Sequence, residues 1–468
     1  MASSSTAKQL DSSVVESTTP KTSRLSLKEK LAYGAGDLGN GFMFDLGQVY
    51  LLKFYTDVLG ISAYYAGLVF LVSKLFDAFV DSGVGTFVDS RSNIGKRGKF
   101  RPFILFGTLP LAIITFISFL SPDLSQNGKI IWAFVTYMLF NAAYSVVNIP
   151  YGSLAASMTK NPVDRAGLAS FRSLGSQAAL FITGIVVLPI VMQFESPKVG
   201  YPVAIGVMAL VGIVFHLMCY FGVKENEVVV KKHEAKVPIR KAFGALLKNR
   251  PFIVLVTLTL FMILANFLKL SVQLFYVQYN LGNSNLIGSI STVNLVMALA
   301  GIAITTPIVA KLGKKAAVII GLTGSITFEL LNFFIFGDSV GTFLTFHAIG
   351  YFFFMIPNTI IWALIADIVE YGEWMTGERN EGVIYSSYSF VRKVSQALAG
   401  FLPGLILTMI GYVPNAVQTS GALAGIKMME FIIPAVCSLI ALLVFGLFYS
   451  LTDKRHKEIV SEIAARKA

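Results

Sequence analysis

Apolar residues in this chain come in long unbroken runs, not in the alternation of a half-buried strand or the one-sided stripe of a surface helix. Twelve windows stand out, at about 34–58, 63–88, 102–120, 130–157, 172–193, 201–222, 251–279, 286–309, 315–336, 341–369, 385–411 and 423–451. Each holds about 20 residues or more, enough for a helix to cross the hydrocarbon core of a bilayer. The pattern predicts an all-α polytopic membrane protein with twelve transmembrane helices.

Composition agrees. Of 468 residues, 55% are hydrophobic and 14% charged, against roughly 25% charged in soluble domains, and mean hydropathy is +0.69. The lipid bilayer is thus the first expected partner. A net charge of +12 would raise nucleic acid for a soluble chain. Here the bases lie between apolar runs, so nucleic acid is set aside and the bases are read as orienting the chain. The segments KTSRLSLKEK, RSNIGKRGKFR, TKNPVDR, KLGKK, DKRHKE and the long stretch after the sixth window are basic. The alternate loops SPDLSQNGK, QFESPK, YNLGNSN, FGDSVG and GYVPNAVQTSGALAG nearly lack bases. By the positive-inside rule the basic set and both termini are cytoplasmic.

The boundaries follow. Residues 1–27, Ser/Thr-rich and without an apolar signal core, read as a disordered cytoplasmic tail. A six-helix half over 28–222 is joined by a cytoplasmic central loop, 223–250, to a second six-helix half over 251–451. A cytoplasmic tail follows at 452–468. This 6+6 plan, with a basic central loop, resembles the major facilitator architecture, in which a solute site lies near the midplane between halves that rock. The two cysteines, Cys219 and Cys437, fall in apolar runs and imply no disulfide framework.

Charges inside the runs are the chemical signal, because each costs about 2.5–3.5 kcal/mol at a helix centre on insertion scales. In VSKLFDAFVDSGVG, Asp77 and Asp81 are one turn apart on one helical face. Two acids there favour a bound cation or a shared proton. Lys74, one turn before Asp77, offers the competing reading of an ion pair within one helix. Helix 1 carries Asp37, Gly41 and Asp45 at successive i,i+4 steps, with Asn40 and Gln48 beside them. Helix 4 places Tyr144 and Asn148 at i,i+4 before Pro150, and helices 5 and 11 add Arg172 and Lys393. Acids, amides, bases and a tyrosine around one cavity suit a polyhydroxylated ligand. Gly41 has a second reading, close helix packing alone. Lys53, near the outer end of helix 1, is expected to snorkel, and Glu329 and Lys269 have no assigned role. Asp367 and Glu370, with Arg165 and Arg379 in cytoplasmic loops, are candidates for ion pairs that close the inward side; a solvated charged rim is the plainer reading.

These residues sit in motifs that resemble the glycoside–pentoside–hexuronide:cation symporter family. The resemblance runs along nearly the whole chain after about residue 28, through LAYGAGDLGNG, FYTDVLGIS, LFDAFVDSGVG, GKRGKFRPFILFG, NIPYGSL, ADIVEYGEWMTGERNEGVIYSSYSFVRK and GYVPN. It implies a cation-coupled sugar symporter of the cell membrane working by alternating access. Its partners would be a small-molecule sugar and a coupling cation, with no cofactor. GDLGNG is closer to the pentoside, xyloside and glucuronide members than to the melibiose branch, which points to a xyloside such as isoprimeverose. The family's coupling-site acids fall on Asp77 and Asp81, and its lysine between cation and sugar on Lys393. The arginine near the sugar falls on Arg172 and an aromatic on Tyr144. Asn148 stands where the melibiose branch has an acid, and would serve both cation and sugar. Gly41 stands where that branch has the acid that binds galactoside, so Asp37 or Asp45 is the expected replacement. Val80 stands beside Asp81 where that branch has an amide, which favours a proton over sodium at the pair.

Rival readings are a sodium-coupled glucuronide or galactoside symporter, a lysolipid transporter, a non-transporting sugar sensor and a membrane enzyme. No HExxH or nucleophile elbow supports the last.

Overall fold

The structure, a computed structural model, describes residues 24–91, 97–159, 161–225, 246, 248–336, 339–378 and 381–467. The expected N-terminal tail up to residue 23, most of the central loop and Arg379 lie outside the described residues.

Ser26 opens helix α1 (Leu27–Lys53) through a capping box with Glu29. The helix runs on as a π-helical turn, Phe54–Leu59, stopped by Gly60 at φ 77°. Five helices complete the first half: α2 (Ala63–Ser90), α3 (Arg101–Ser118), α4 (Gln126–Met158), α5 (Pro162–Val191) and α6 (Pro197–Gly222). The second half begins with α7 (Arg250–Phe275), which also ends in a π-helical turn, Tyr276–Asn280. One helical stretch, Leu286–Leu331, is broken at Gly313, whose φ of 82° and ψ of 165° no helix contains. The break yields α8 (286–312) and α9 (314–331). Then come α10 (Val340–Thr376), α11 (Glu381–Met409) and α12 (Ser420–Phe448).

Among the described residues, ten stretches are long and apolar enough to cross a membrane, with α8 and α9 merged as one. α1 falls outside that set because its glycines and acids lower its hydropathy; the bundle nevertheless packs it centrally, against α5, α6 and α7. Apolar side chains such as Leu210, Phe221 and Leu447 are exposed on the rim, as a lipid-facing surface requires. The chain is thus an all-helical membrane protein with twelve crossing helices.

The expected C-terminal tail differs in one respect. Residues Asp453–Lys467 form a further helix, α13. Its apolar stripe buries Ile459 against the second half's core, and Glu462 accepts a hydrogen bond from Trp374 Nε1 at 2.6 Å.

The halves meet closely near the ends that the loop charges place outside. A Cβ added at Gly404 of α11 would lie 2.2 Å from the carbonyl oxygen of Ala63 and 2.8 Å from the nitrogen of Gly67 on α2. A Cβ at Gly184 of α5 would lie 1.8 Å from Ser291 Oγ on α8. Glycine is what lets these helix pairs approach.

Candidate functional site

Four charged side chains from α2 and α11 converge where the halves join. Lys393 Nζ lies 3.0 Å from Asp77 Oδ2 and 3.1 Å from the Asp77 carbonyl oxygen, and it also pairs with Asp81 Oδ2. Ser145 Oγ of α4 is 2.9 Å from Asp77 Oδ1 and 2.5 Å from Asp81 Oδ1. One hydroxyl proton cannot satisfy two carboxylates at once; a proton on either acid makes the second contact a hydrogen bond as well. Lys74 stands 4.0 Å from Asp77 Oδ2, but its ammonium donates to Asn141 Oδ1 at 2.8 Å and faces the rings of Phe44 and Tyr137. The pairing within α2 is therefore weaker than the pairing across to α11. Asp77 is buried, whereas the Asp81 side chain keeps 32% exposure.

A second polar group joins α1, α4 and α5. Arg172 Nε lies 3.2 Å from Asp37 Oδ1, and its guanidinium sits 5.2 Å from the centre of the Tyr151 ring. Tyr151 stacks on Tyr33 at 4.8 Å and donates to the Tyr33 carbonyl. Gly152 makes room for the guanidinium: a Cβ there would already be 3.5 Å from Arg172 Nη1. The Arg172 side chain is 37% exposed, so the ion pair leaves part of the cation free.

The other expected residues are spread around these two groups. Tyr144 packs its ring on Phe44 and Phe140. Asn148 follows Ser145 on α4 but does not reach the acids; its Oδ1 is buried without a hydrogen-bond partner. Asp45 Oδ2 is in the same state. Asn40 turns to His216 Nε2 at 3.2 Å, and His216 Nδ1 meets Thr108 Oγ1 at 3.0 Å, so this histidine is a hydrogen-bonded packing residue. Gly41 faces Ala179 on α5, where a Cβ would come within 2.3 Å of the alanine methyl. An acid at that position would force α1 and α5 apart.

Among the described residues, the cytoplasmic candidates Arg165, Asp367 and Glu370 make their hydrogen bonds within their own halves. Arg165 donates to the Thr159 carbonyl at 2.9 Å. Asp367 accepts from Lys314 at 2.5 Å and Glu370 contacts His456 Nε2 at 2.5 Å, all within the second half. A cluster of hydrogen bonds between the halves lies at the other end. Asp57, in the π-helical turn after α1, accepts from Lys53 Nζ at 2.6 Å, Tyr279 Oη at 3.2 Å and Tyr412 Oη at 2.7 Å. Asn415 Nδ2 donates to its carbonyl at 2.8 Å. Asn415 is at φ 56° and is the one non-glycine with positive φ among the described residues, a conformation asparagine tolerates. Lys53 does not snorkel: it is buried, with Phe275 and Tyr279 rings 4.7 and 4.8 Å from its ammonium. The cluster's Asp57, Tyr412 and Asn415 lie in FYTDVLGIS and GYVPN, but Asp57 sits at the edge of an apolar window, where a charge carries no signal of its own.

The chain belongs to the family of MFS/sugar transport proteins, whose model matches residues 32–453, and it is a cation-coupled symporter of a sugar-like solute, not an enzyme. It is 45% identical over 455 residues to the Bacillus subtilis (strain 168) protein named "Uncharacterized symporter YjmB", covering 97% of this chain and 98% of the other. It is 41% identical to the Escherichia coli (strain K12) "Putative sulfoquinovose importer", with 96% of each chain covered. The "Glucuronide carrier protein homolog" of the same organism is 37% identical over 95% of this chain and 97% of its own. The crystal structure of a D-xylose-proton symporter superposes with a TM-score of 0.67 at 14% identity, over 90% of this chain and 97% of that one; at that identity the likeness is one of fold.

Proposed function

We propose that this protein imports a sugar glycoside by alternating access, coupled to a proton at Asp77 and Asp81, and that the sugar carries an acidic group. The observation that carries the coupling is Lys393, whose ammonium lies against both acids while rooted in the opposite half. In this arrangement Lys393 stands where a coupling cation would. Binding of the cation releases Lys393 from the acids, and the freed ammonium then turns to the solute. Ion and solute thereby strengthen one another through a single mobile charge. The proton reading, in preference to sodium, is supported by Val80, which stands beside Asp81 and offers no side-chain oxygen to a metal ion.

Two relatives whose names specify an acidic cargo, sulfoquinovose or glucuronide, favour an acidic sugar over the neutral xyloside that the helix 1 motif also allows. The partly exposed Arg172 is the group suited to hold it, with Asp37, Asn148 and Asp45 offering acceptors for hydroxyls. Purified protein in liposomes tests both halves of the reading. Uptake of glucuronides, sulfosugars, xylosides and galactosides is measured under imposed proton or sodium gradients. Concentration of an acidic sugar on a proton gradient is the expected result. Accumulation of xyloside alone, or on a sodium gradient alone, overturns the corresponding half.

A further inference from the structure

The second half buries a charge cluster that the coupling site does not use. Lys269 of α7 lies 2.5 Å from Glu329 Oε1 of α9 and 3.9 Å from Glu430 Oε1 of α12. Gln273, one turn on from Lys269, donates to Glu430 Oε1 at 3.4 Å. Glu430 is fully buried, and the remaining oxygens of both acids, Glu329 Oε2 and Glu430 Oε2, have no hydrogen-bond partner. From α10 the cluster faces His347, whose Nε2 meets Asn294 Oδ1 at 2.8 Å and whose Nδ1 is buried without a partner. The Phe431 ring covers the ammonium at 5.7 Å.

The charges do not balance. One ammonium serves two carboxyls in an interior with no water contact at Glu430. An isolated buried carboxylate costs far more than a neutral acid with one unmade hydrogen bond. Lys269 is close to Glu329 and far from Glu430, so the two acids divide the roles: Glu329 is the ion-pair partner, and Glu430 is left over. We propose that Glu430 is a proton-binding site of the second half, separate from Asp77 and Asp81, holding its proton at neutral pH while Lys269 and Glu329 form an ion pair. Gln273 donates to Oε1, and the Lys269 ammonium stands nearest the same oxygen, beyond hydrogen-bond reach at 3.9 Å, which leaves Oε2 to carry the proton. One consequence bears on the choice of ion. A pH dependence of uptake then has two sources and does not by itself identify the proton as the coupling ion.

The test is infrared difference spectroscopy of the full-length protein in lipid at neutral pH, reading the carbonyl stretch of protonated carboxylic acids. Wild type minus E430Q shows one protonated carboxyl, and this difference persists when both proteins carry Asp77→Asn and Asp81→Asn. E329Q removes the competitor, so Lys269 turns to Glu430 and the same band disappears although Glu430 is intact. K269M removes the base, and the band grows about twofold as both glutamates take protons. No band lost in E430Q overturns the proposal. So does a band that survives in E329Q, because it would mean that Glu430 stays neutral without competition for Lys269. E430Q and E329Q change no side-chain volume to speak of, and K269M supplies an independent readout if either fails to assemble.

Discussion

The hydroxyl of Tyr412 donates to Oδ1 of Asp57 across 2.7 Å, tying the loop after α11 to the end of α1. With Tyr279, Asn415 and the ring-stacked Lys53 it closes the outer seam between the halves. A hydrogen bond to a charged group contributes about 1.5–3 kcal/mol. Tyr412→Phe is therefore expected to shift the balance toward the outward-open state by roughly ten- to a hundredfold. Asp57→Asn strands Lys53 in a buried site and should shift it further. Distances between spin labels on the outer ends of α1 and α7 would report the change. Unaltered distance distributions in both variants would mean that the cluster is packing and not a latch.

Asp77 is the more enclosed member of the coupling pair, held by Lys393 and Ser145, whereas Asp81 keeps partial access. Asp77→Asn should lower concentrative uptake by roughly two to four orders of magnitude, the scale of an uncompensated buried charge at about 3–5 kcal/mol. Asp81→Asn should cost less. Because both acids share Lys393 and Ser145, the double variant is expected to be little worse than Asp77→Asn alone. Counterflow of labelled solute, which needs no net ion movement, should survive in Asp81→Asn. Strictly additive losses would show that the acids act independently.

The fold was legible because twelve apolar runs and an alternation of basic and base-free loops each carry topology on their own. The candidate site was legible only as far as isolated charges reveal it. Asp77, Asp81 and Lys393 stand out as intramembrane charges, and the structure places them together. Ser145 could not be found that way, since a serine in a helix costs little and draws no notice. Asn148, three residues along the same helix, is the more conspicuous polar residue, yet its Oδ1 is buried without a hydrogen-bond partner. Lys269 and Glu329 lie 60 residues apart in sequence, on helices that nothing in the sequence shows to be neighbours. The break at Gly313 was visible only as the boundary between two windows.

Arg172 keeps over a third of its side chain exposed while bound to Asp37 and laid on Tyr151. Arg172→Lys loses the planar fork and the stacking but keeps the charge. For an acidic sugar it should raise the apparent KM about tenfold with a smaller effect on the maximal rate. Arg172→Ala should abolish measurable binding, and Asp37→Asn should weaken it by freeing the guanidinium from its anchor. Isothermal titration of the purified variants with glucuronide and a neutral glycoside separates the possibilities. Equal losses for both ligands would assign Arg172 to architecture and not to the acidic group.

Outside the membrane, the hydrogen bond from Trp374 Nε1, followed by the charge of Arg455, holds the Glu462 carboxyl below its usual range. A depressed carboxyl stabilises the docked state above its unfolded value, about 4.3, and that contribution is lost as pH falls through the lower docked value. α13 should therefore stay docked on α10 at neutral pH and release in acid. Arg466 and Arg455, which lie over the Trp374 ring, remain charged throughout and do not contribute to the transition. Glu458, which pairs with Arg455 at 3.0 Å, is the control position. The measurement is Trp374 fluorescence in a variant with Trp132 and Trp362 replaced by Phe. A transition below pH 4.3 that Glu462→Gln removes and Glu458→Gln leaves in place is the expected outcome. A transition unchanged by Glu462→Gln would show that this carboxyl does not hold α13 in place.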